Sequence, residues 1–121
     1  MLESEKSILL VEDDTSTRLI IQKSISKWGC KILSVASAEE AIRVVNMITP
    51  NLALIDISLP GIDGITLAEM LLKKKITAVI LMTADKTYAT NAALTNHKVI
   101  CKPFNNEELK EIVMQTSFIF D

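Results

Sequence analysis

The stretch Asn51–Gly64, NLALIDISLPGIDG, determines how the rest of the chain can be arranged. It begins with the apolar run 52–55, continues with one carboxylate, Asp56, and breaks at Pro60-Gly61. A run that is apolar at every position is typical of a strand that is covered on both faces, as in a parallel sheet. An unpaired carboxylate is costly inside such a core. It is tolerated at the carboxyl end of the strand, where open α/β sheets place their sites.

Four further apolar runs predict strands, and amphipathic segments between them predict helices. The other predicted strands are Ser7–Val11, Lys31–Val35, Thr77–Met82 and His97–Cys101. The predicted helices are Thr17–Trp28, a second opened by Ser37 and ending at Thr49-Pro50, Ile65–Lys74, a short or irregular fourth within Ala84–Asn96, and a fifth after Asn105. Since parallel strands need right-handed crossovers, this alternation predicts an α/β fold, a doubly wound five-stranded parallel sheet with helices on both faces.

Short polar motifs predict where several helices begin. Thr15-Ser16 is expected to cap the first helix. Ser37 with Glu40, and Asn105 with Glu108, have the spacing of a capping box, in which the cap side chain and the third helical residue bond reciprocally. The fourth segment is rich in Thr and Asn, which compete with helical hydrogen bonding, and this favours a short or irregular helix there.

Composition limits the class of protein. The chain has 121 residues, 49% of them apolar, and a net charge of −2 from 13 basic and 15 acidic residues. We therefore expect one domain over 1–121, with a core of about 7–116 and no effector domain, located in the cytoplasm and binding neither nucleic acid nor membrane. Cys30 and Cys101 are predicted to be buried, reduced thiols, since two cysteines and His97 are too few for a structural zinc site.

Four of the predicted strands end in chemically active residues. These are Glu12-Asp13 after the first strand, Asp56 after the third, Thr83 after the fourth and Lys102 after the fifth. Because the carboxyl ends of parallel strands lie on one edge, these side chains should converge. Clustered carboxylates favour Mg²⁺, which takes carboxylate and phosphate oxygens. A carboxylate can attack phosphorus, and an ammonium group can stabilise the transferring charge.

Four segments together resemble the receiver domain of two-component response regulators. They are ILLVEDD (8–14), LALIDISLPGIDG (52–64), ILMTAD (80–85) and CKPF (101–104), and they cover the chain in the order of that family. The resemblance implies a flavodoxin-like sheet with strand order 2-1-3-4-5, the order of a chemotaxis protein of this family. It also implies a phosphoacceptor in two-component signal transduction, which is not an enzyme beyond its own phosphorylation and dephosphorylation.

The resemblance assigns roles to the acidic residues that follow the first and third strands, and to Ser58. Asp56 takes a phosphoryl group from the phosphohistidine of a histidine kinase or phosphotransfer protein. Asp13 ligates Mg²⁺ directly and Glu12 through water, while Asp56 and the backbone carbonyl of Ser58 complete the protein ligands. Asp14 lies just outside the metal shell. A downstream protein target and a monomer or weak dimer are implied as well.

The same resemblance assigns the remaining site residues. Thr83 and Lys102 contact the phosphoryl group, Ala84 leaves room for Thr83 to move, and the Lys102–Pro103 bond is cis.

One departure from the family concerns the output face. Receivers usually carry an aromatic residue three positions before the lysine, and here that position is Val99. We expect phosphorylation to be retained and the output to change, through order and disorder in Ala84–Asn96 or through another face. Tyr88 is a second candidate for a mobile aromatic residue.

Two other functions are compatible with parts of the pattern. A phosphorylation-independent interaction module with the same fold would explain the missing aromatic residue. An aspartyl-phosphate phosphatase for small molecules would need a second aspartate two residues after Asp56, where Ser58 stands. A stand-alone regulator, a phosphate shuttle and a receiver from a larger hybrid kinase all remain open.

Overall fold

Five parallel strands form one sheet. The strands are β1 (Ser7–Val11), β2 (Lys31–Val35), β3 (Leu52–Asp56), β4 (Val79–Thr83) and β5 (Lys98–Cys101), hydrogen-bonded in the order β2-β1-β3-β4-β5. The computed structural model describes residues 6–76, 78–90 and 97–118. The predicted direction and order of the strands are confirmed, and β1 and β2 have the predicted bounds.

Five helices connect and cover these strands. They are α1 (Thr15–Ser26), α2 (Ala38–Val45), α3 (Gly64–Lys73), α4 (Lys86–Thr90) and α5 (Asn106–Met114). The prediction of a short fourth helix is confirmed, although residues 91–96 of the predicted segment lie outside the described residues. α2 and α3 pack on one face of the sheet, and α1 and α5 pack on the other.

The central strands supply both layers of the core, which explains why their sequences are apolar at every position. On the α2–α3 side lie Leu9, Val11, Ala53, Ile55 and Leu81. On the α1–α5 side lie Ile8, Leu10, Leu52, Leu54 and Ile80. Successive side chains of a strand point to opposite faces, so a strand between two helical layers needs no polar positions until it ends.

The start of α1 differs from the prediction. Asp14, rather than Thr15-Ser16, is the N-cap, and its Oδ2 accepts hydrogen bonds from the Thr17 N–H at 2.8 Å and the Thr17 hydroxyl at 2.7 Å. The helix therefore begins at Thr15 and ends at Ser26, two residues earlier at each end than predicted. Asp is as good an N-cap as Ser, so Asp14 can take this position ahead of Thr15-Ser16.

The motif at α2 is only half of a capping box. The Ser37 hydroxyl accepts the Glu40 N–H at 3.1 Å, but the Glu40 carboxylate accepts the Ala36 N–H at 3.2 Å rather than that of Ser37. The helix ends at Val45, before the predicted Thr49-Pro50. By Asn51, whose N–H donates to the Ser7 carbonyl at 2.8 Å, the chain has already joined the sheet.

Smaller corrections concern the other elements. α3 begins at Gly64 and ends at Lys73, one residue earlier at each end than predicted, with Asp63 as its N-cap. β4 begins at Val79, two residues later than predicted, and it runs to Thr83 because Thr83 pairs with Cys101 of β5. β5 begins one residue later than predicted. The capping box of α5, formed by Asn105 and Glu108, is confirmed.

Three further observations complete the fold. Cys30 and Cys101 are free thiols as predicted, but both are half-buried rather than buried. Phe118 packs into the α1–α5 layer, while 119–121 lie outside the described residues. In the part of the chain that the structure describes, no helix has the length and apolar character needed to cross a membrane.

Candidate functional site

The carboxyl ends of three strands bring four charged side chains together at one edge of the sheet. One carboxylate oxygen from each of Glu12, Asp13 and Asp56 lies within 4.8 Å of the other two. The Lys102 Nζ lies 2.5 Å from Glu12 Oε1 and 3.4 Å from Asp56 Oδ2. The structure thus places these four predicted residues in one cluster, in which three carboxylates face one ammonium group.

Asp56 is the last residue of β3 and lies at the centre of this cluster. It is only 6% exposed, and both of its oxygens are engaged. Its Oδ1 accepts the Ser58 N–H at 3.1 Å, while its Oδ2 faces Lys102. The Asp56 carboxylate is therefore held in one orientation and is itself largely shielded from solvent.

The first residue of α3 must be glycine because the helix begins against the backbone of Asp56. The Gly64 N–H donates to the Ile57 carbonyl at 3.0 Å. A Cβ at Gly64 would lie 2.1 Å from the Asp56 carbonyl oxygen and 2.7 Å from the Ile57 Cα. Gly64 thus allows α3 to pack directly behind the residue that carries the central carboxylate.

Glu12 is the most enclosed acid of the cluster, with 1% of its surface exposed. Its Oε1 accepts from Lys102, and its Oε2 accepts the Asp14 N–H at 3.2 Å. Burial raises the pKa of the Glu12 carboxyl above its ordinary value, and the charge of Asp56 adds to the effect, although the Lys102 hydrogen bond opposes it. Glu12 is thus a buried carboxyl in a cluster where three carboxyl groups face one ammonium group.

Lys102 follows β5 directly and is anchored through its backbone. Its N–H donates to the Thr83 carbonyl at 2.7 Å, and the Lys102–Pro103 peptide bond is cis, as the family resemblance implied. Burial by itself would lower the pKa of the Lys102 ammonium. The hydrogen bond to Glu12 and the charge of Asp56 outweigh burial, so the pKa is raised and the group stays charged.

Thr83 lies at the end of β4, one residue beyond Met82, which pairs with Asp56 across the sheet. It is 1% exposed. Its hydroxyl oxygen accepts the Asp85 N–H at 2.9 Å, so its contact is with the loop before α4 rather than with the charged cluster. Because a hydroxyl is both acceptor and donor, the Thr83 proton remains available to a group placed in the site.

The loop after Thr83 is ordered by Asp85. The Asp85 carboxylate accepts the Thr87 N–H at 2.9 Å and the Thr87 hydroxyl at 2.7 Å. These hydrogen bonds hold the pKa of the Asp85 carboxyl below its ordinary value. Tyr88 and Val99 are both half-buried against the α2–α3 layer of the core. The role of Tyr88 as a mobile aromatic residue stays a prediction.

Sequence reasoning missed two residues that contact the site loops. The Arg18 guanidinium donates to the carbonyl oxygen of Glu12 at 2.7 Å. Glu39 accepts the Ile62 N–H at 3.4 Å, and a Cβ at Gly61 would lie 2.9 Å from its Oε2. Both residues act on main-chain groups, and the sequence gives no signal for a main-chain contact.

The donor set fits a hard divalent cation. The three clustered ligands are carboxylate oxygens, with neither imidazole nor thiolate among them. Oxygen-only sets of one or two carboxylates suit Mg²⁺, which keeps several of its waters. Asp13 and Ser58 are exposed, so the cluster is open to solvent on the side where these waters and a phosphoryl group would lie.

Comparison with known proteins assigns the chain to a family. The sequence profile of the response regulator receiver domain matches residues 8–114, which is most of the chain. The chain belongs to this family. The receiver is 31% identical over 110 residues to a probable transcriptional regulator, ycf27, of Cyanophora paradoxa, covering 88% of this chain and 46% of the relative. It thus spans about half the length of the curated relatives that it matches.

Solved structures agree with this assignment. A CheY-like receiver domain protein from Methanospirillum hungatei has a TM-score of 0.80 and 28% identity, with 93% of each chain covered. The response regulator TrrA from Thermotoga maritima, solved in complex with Mg(2+)-BeF, has a TM-score of 0.79 and 32% identity. That comparison covers 91% of this receiver and 97% of TrrA. The fold and the family of this chain are therefore those of a response regulator receiver.

Proposed function

We propose that this receiver accepts a phosphoryl group on Asp56 from the phosphohistidine of a histidine kinase or phosphotransfer protein, and that phosphorylation changes its interactions with a downstream protein. The observation that carries the proposal is the placement of Asp56. It is a nearly buried carboxylate, its Oδ2 is 3.4 Å from the Lys102 ammonium, and two further carboxylates lie within 4.8 Å. This clustering supports Asp56 as the nucleophile, Lys102 as the cation for the transferred charge and the carboxylates as metal ligands.

The residues that would hold Mg²⁺ are Glu12, Asp13, Asp56 and the backbone carbonyl of Ser58. When bound, Mg²⁺ would neutralise part of the charge on the phosphoryl oxygens and on the carboxylates. The excess of carboxylates over ammonium groups in the cluster supports this assignment. So does the Mg(2+)-BeF complex of TrrA, which is 32% identical to this chain.

Transfer requires one bond to form and one to break. An Asp56 carboxylate oxygen bonds to phosphorus while the bond from phosphorus to the donor imidazole nitrogen breaks, and that nitrogen keeps the electron pair and takes a proton from water. Lys102 stabilises charge on the transferring group and on the resulting acyl phosphate. The Thr83 hydroxyl, which already accepts from the Asp85 N–H, donates a hydrogen bond to a phosphoryl oxygen.

Intact mass spectrometry tests the proposal. The wild type, Asp56→Asn and Asp63→Asn are incubated with a small-molecule phosphodonor, with and without Mg²⁺. Asp63 is an exposed aspartate that caps α3, and it serves as the matched control. We expect the wild type and Asp63→Asn to gain one phosphoryl group only with Mg²⁺, and Asp56→Asn to gain none.

Failure of the wild type to gain a phosphoryl group would identify another class of protein. A wild type that gains no phosphoryl group from the small donor or from a phosphorylated phosphotransfer protein would contradict the proposal. It would favour a phosphorylation-independent interaction module.

A further inference from the structure

One half-buried cation, the Arg18 guanidinium, contacts the backbone of the turn that carries Glu12 and Asp13. This turn, Glu12–Asp14, joins β1 to α1 and is called the acidic turn below. The half-buried Arg18, on the first full turn of α1, donates from Nη1 to the Glu12 carbonyl oxygen at 2.7 Å. Hydrogen bonds from a charged donor are short and stronger than neutral ones, so this contact is a firm anchor for the main chain.

Two of the three acids of the acidic turn, Glu12 and Asp14, are fixed by hydrogen bonds of their own carboxylates. Glu12 is held by Lys102 and the Asp14 N–H, and Asp14 caps α1 through Thr17. Asp13 is exposed, and among residues 6–76, 78–90 and 97–118 its side chain has no hydrogen-bond partner. The main chain on either side of Asp13 therefore fixes its Cα–Cβ bond, and with it the region that the Asp13 carboxylate can reach.

We infer that Arg18 is a positioning residue for the metal site, since it fixes the peptide group that precedes Asp13 and so directs the Asp13 carboxylate toward Asp56. This inference rests on the proposed function of the same site. Partners that orient metal ligands without touching the metal typically change metal affinity by about 10- to 100-fold when they are removed.

The positive charge of Arg18 affects Mg²⁺ affinity in the opposite direction from a positioning role. A guanidinium near the site repels a divalent cation, so its removal by itself would tighten Mg²⁺ binding. A positioning role predicts that the same removal weakens binding, because Mg²⁺ must then order the acidic turn. The sign of the change in Mg²⁺ affinity therefore separates the two effects.

The experiment measures Mg²⁺ affinity by calorimetry in the full chain without phosphodonor, for the wild type, Arg18→Ala, Arg18→Lys and Arg43→Ala. Arg43 is an exposed arginine in the last turn of α2, away from the site, and is the matched control. We expect Arg18→Ala to bind Mg²⁺ about tenfold more weakly, at the low end of the usual range because the lost charge acts the other way. Arg18→Lys, which keeps a cationic donor, should recover part of the affinity, and Arg43→Ala should equal the wild type.

A second readout excludes a merely structural effect. The phosphorylation rate of Arg18→Ala should fall at low Mg²⁺ and return to the wild-type rate when Mg²⁺ is saturating, whereas a damaged site would stay slow. If Arg18→Ala does not fold, Arg18→Gln replaces it, since this side chain is uncharged and too short to reach the Glu12 carbonyl.

Two other outcomes of the Mg²⁺ measurement would overturn the positioning role of Arg18. Unchanged or tighter Mg²⁺ binding in Arg18→Ala, with normal binding in the wild type, overturns the positioning role and leaves the proposed function intact. A wild type that binds no Mg²⁺ overturns the proposed function and this inference with it.

Discussion

Removing the Lys102 ammonium tests the electrostatic account of the site most sharply. In the structure Lys102 lies 2.5 Å from Glu12 and 3.4 Å from Asp56, and its side chain is 20% exposed while that of Glu12 is 1% exposed. The substitution Lys102→Met keeps the length of the side chain and removes its charge. Glu12 and Asp56 then face each other without a compensating cation.

The magnitude follows from the burial of the pair. Breaking a buried ion pair by removing one partner costs about 3–5 kcal/mol, because the remaining charge is left uncompensated. Since solvent reaches part of Lys102, we expect the lower end, a decrease of about 3 kcal/mol in the free energy of unfolding without metal at pH 7. A domain of ordinary stability, about 5–15 kcal/mol, remains folded after such a loss.

The loss of folding stability in Lys102→Met should depend on pH. Burial and the charge of Asp56 raise the pKa of Glu12, and Lys102 opposes them, so without Lys102 the folded-state pKa rises further. A carboxyl whose pKa is higher in the folded than in the unfolded state stabilises the fold when protonated, and this stability is lost as pH rises through the folded-state pKa. The deficit of Lys102→Met should therefore narrow as pH falls from 7 toward the ordinary range of a glutamate.

Urea unfolding measures both effects. Trp28, which packs against the α1–α5 layer, reports unfolding by fluorescence. Lys73→Met, an exposed lysine in the last turn of α3, is the control and should stay within about 0.5 kcal/mol of the wild type. A Lys102→Met variant as stable as the wild type at pH 7, or one with the same deficit at pH 7 and pH 5, would refute the reasoning.

Three further substitutions test the surroundings of the site. Gly64→Ala places a Cβ 2.1 Å from the Asp56 carbonyl oxygen, so urea unfolding should show a loss of about 3 kcal/mol; a stable variant would contradict the close packing. Asn105→Ala removes the capping box of α5 and should lower the free energy of unfolding by about 1 kcal/mol, and a change in phosphorylation rate would argue against its purely structural role. Asp56→Asn removes one of three clustered carboxylates, so without metal the thermal unfolding midpoint of this variant should exceed that of the wild type. A lower midpoint would show that repulsion among these carboxylates does not destabilise the fold.

The sheet could be predicted from sequence because burial on both faces requires apolar residues throughout each strand. The runs at Ser7–Val11 and Lys31–Val35 gave the observed bounds. The end of β4 is harder to predict, because Thr83 is polar and its pairing with Cys101 depends on how two distant segments align. Polar strand ends are where the site lies, so the rule that finds the strands is least accurate there.

The clustering of the four charged residues could also be predicted, since the ends of parallel strands share an edge. The local geometry could not. Asp14 is chemically able to bind metal or to cap a helix, and only its hydrogen bonds to Thr17 decide for the cap. The contact of Arg18 with the Glu12 carbonyl depends on the backbone path of the acidic turn, and residue types do not encode that path.

Mapping the phosphorylated residue tests the central claim most directly. The receiver is phosphorylated in the presence of Mg²⁺, the acyl phosphate is reduced with borohydride, and the peptides are sequenced by mass spectrometry. We predict homoserine at position 56 and unchanged aspartate at positions 13 and 63. An unmodified Asp56 in protein that carries the phosphoryl group, or homoserine at another aspartate, would contradict it.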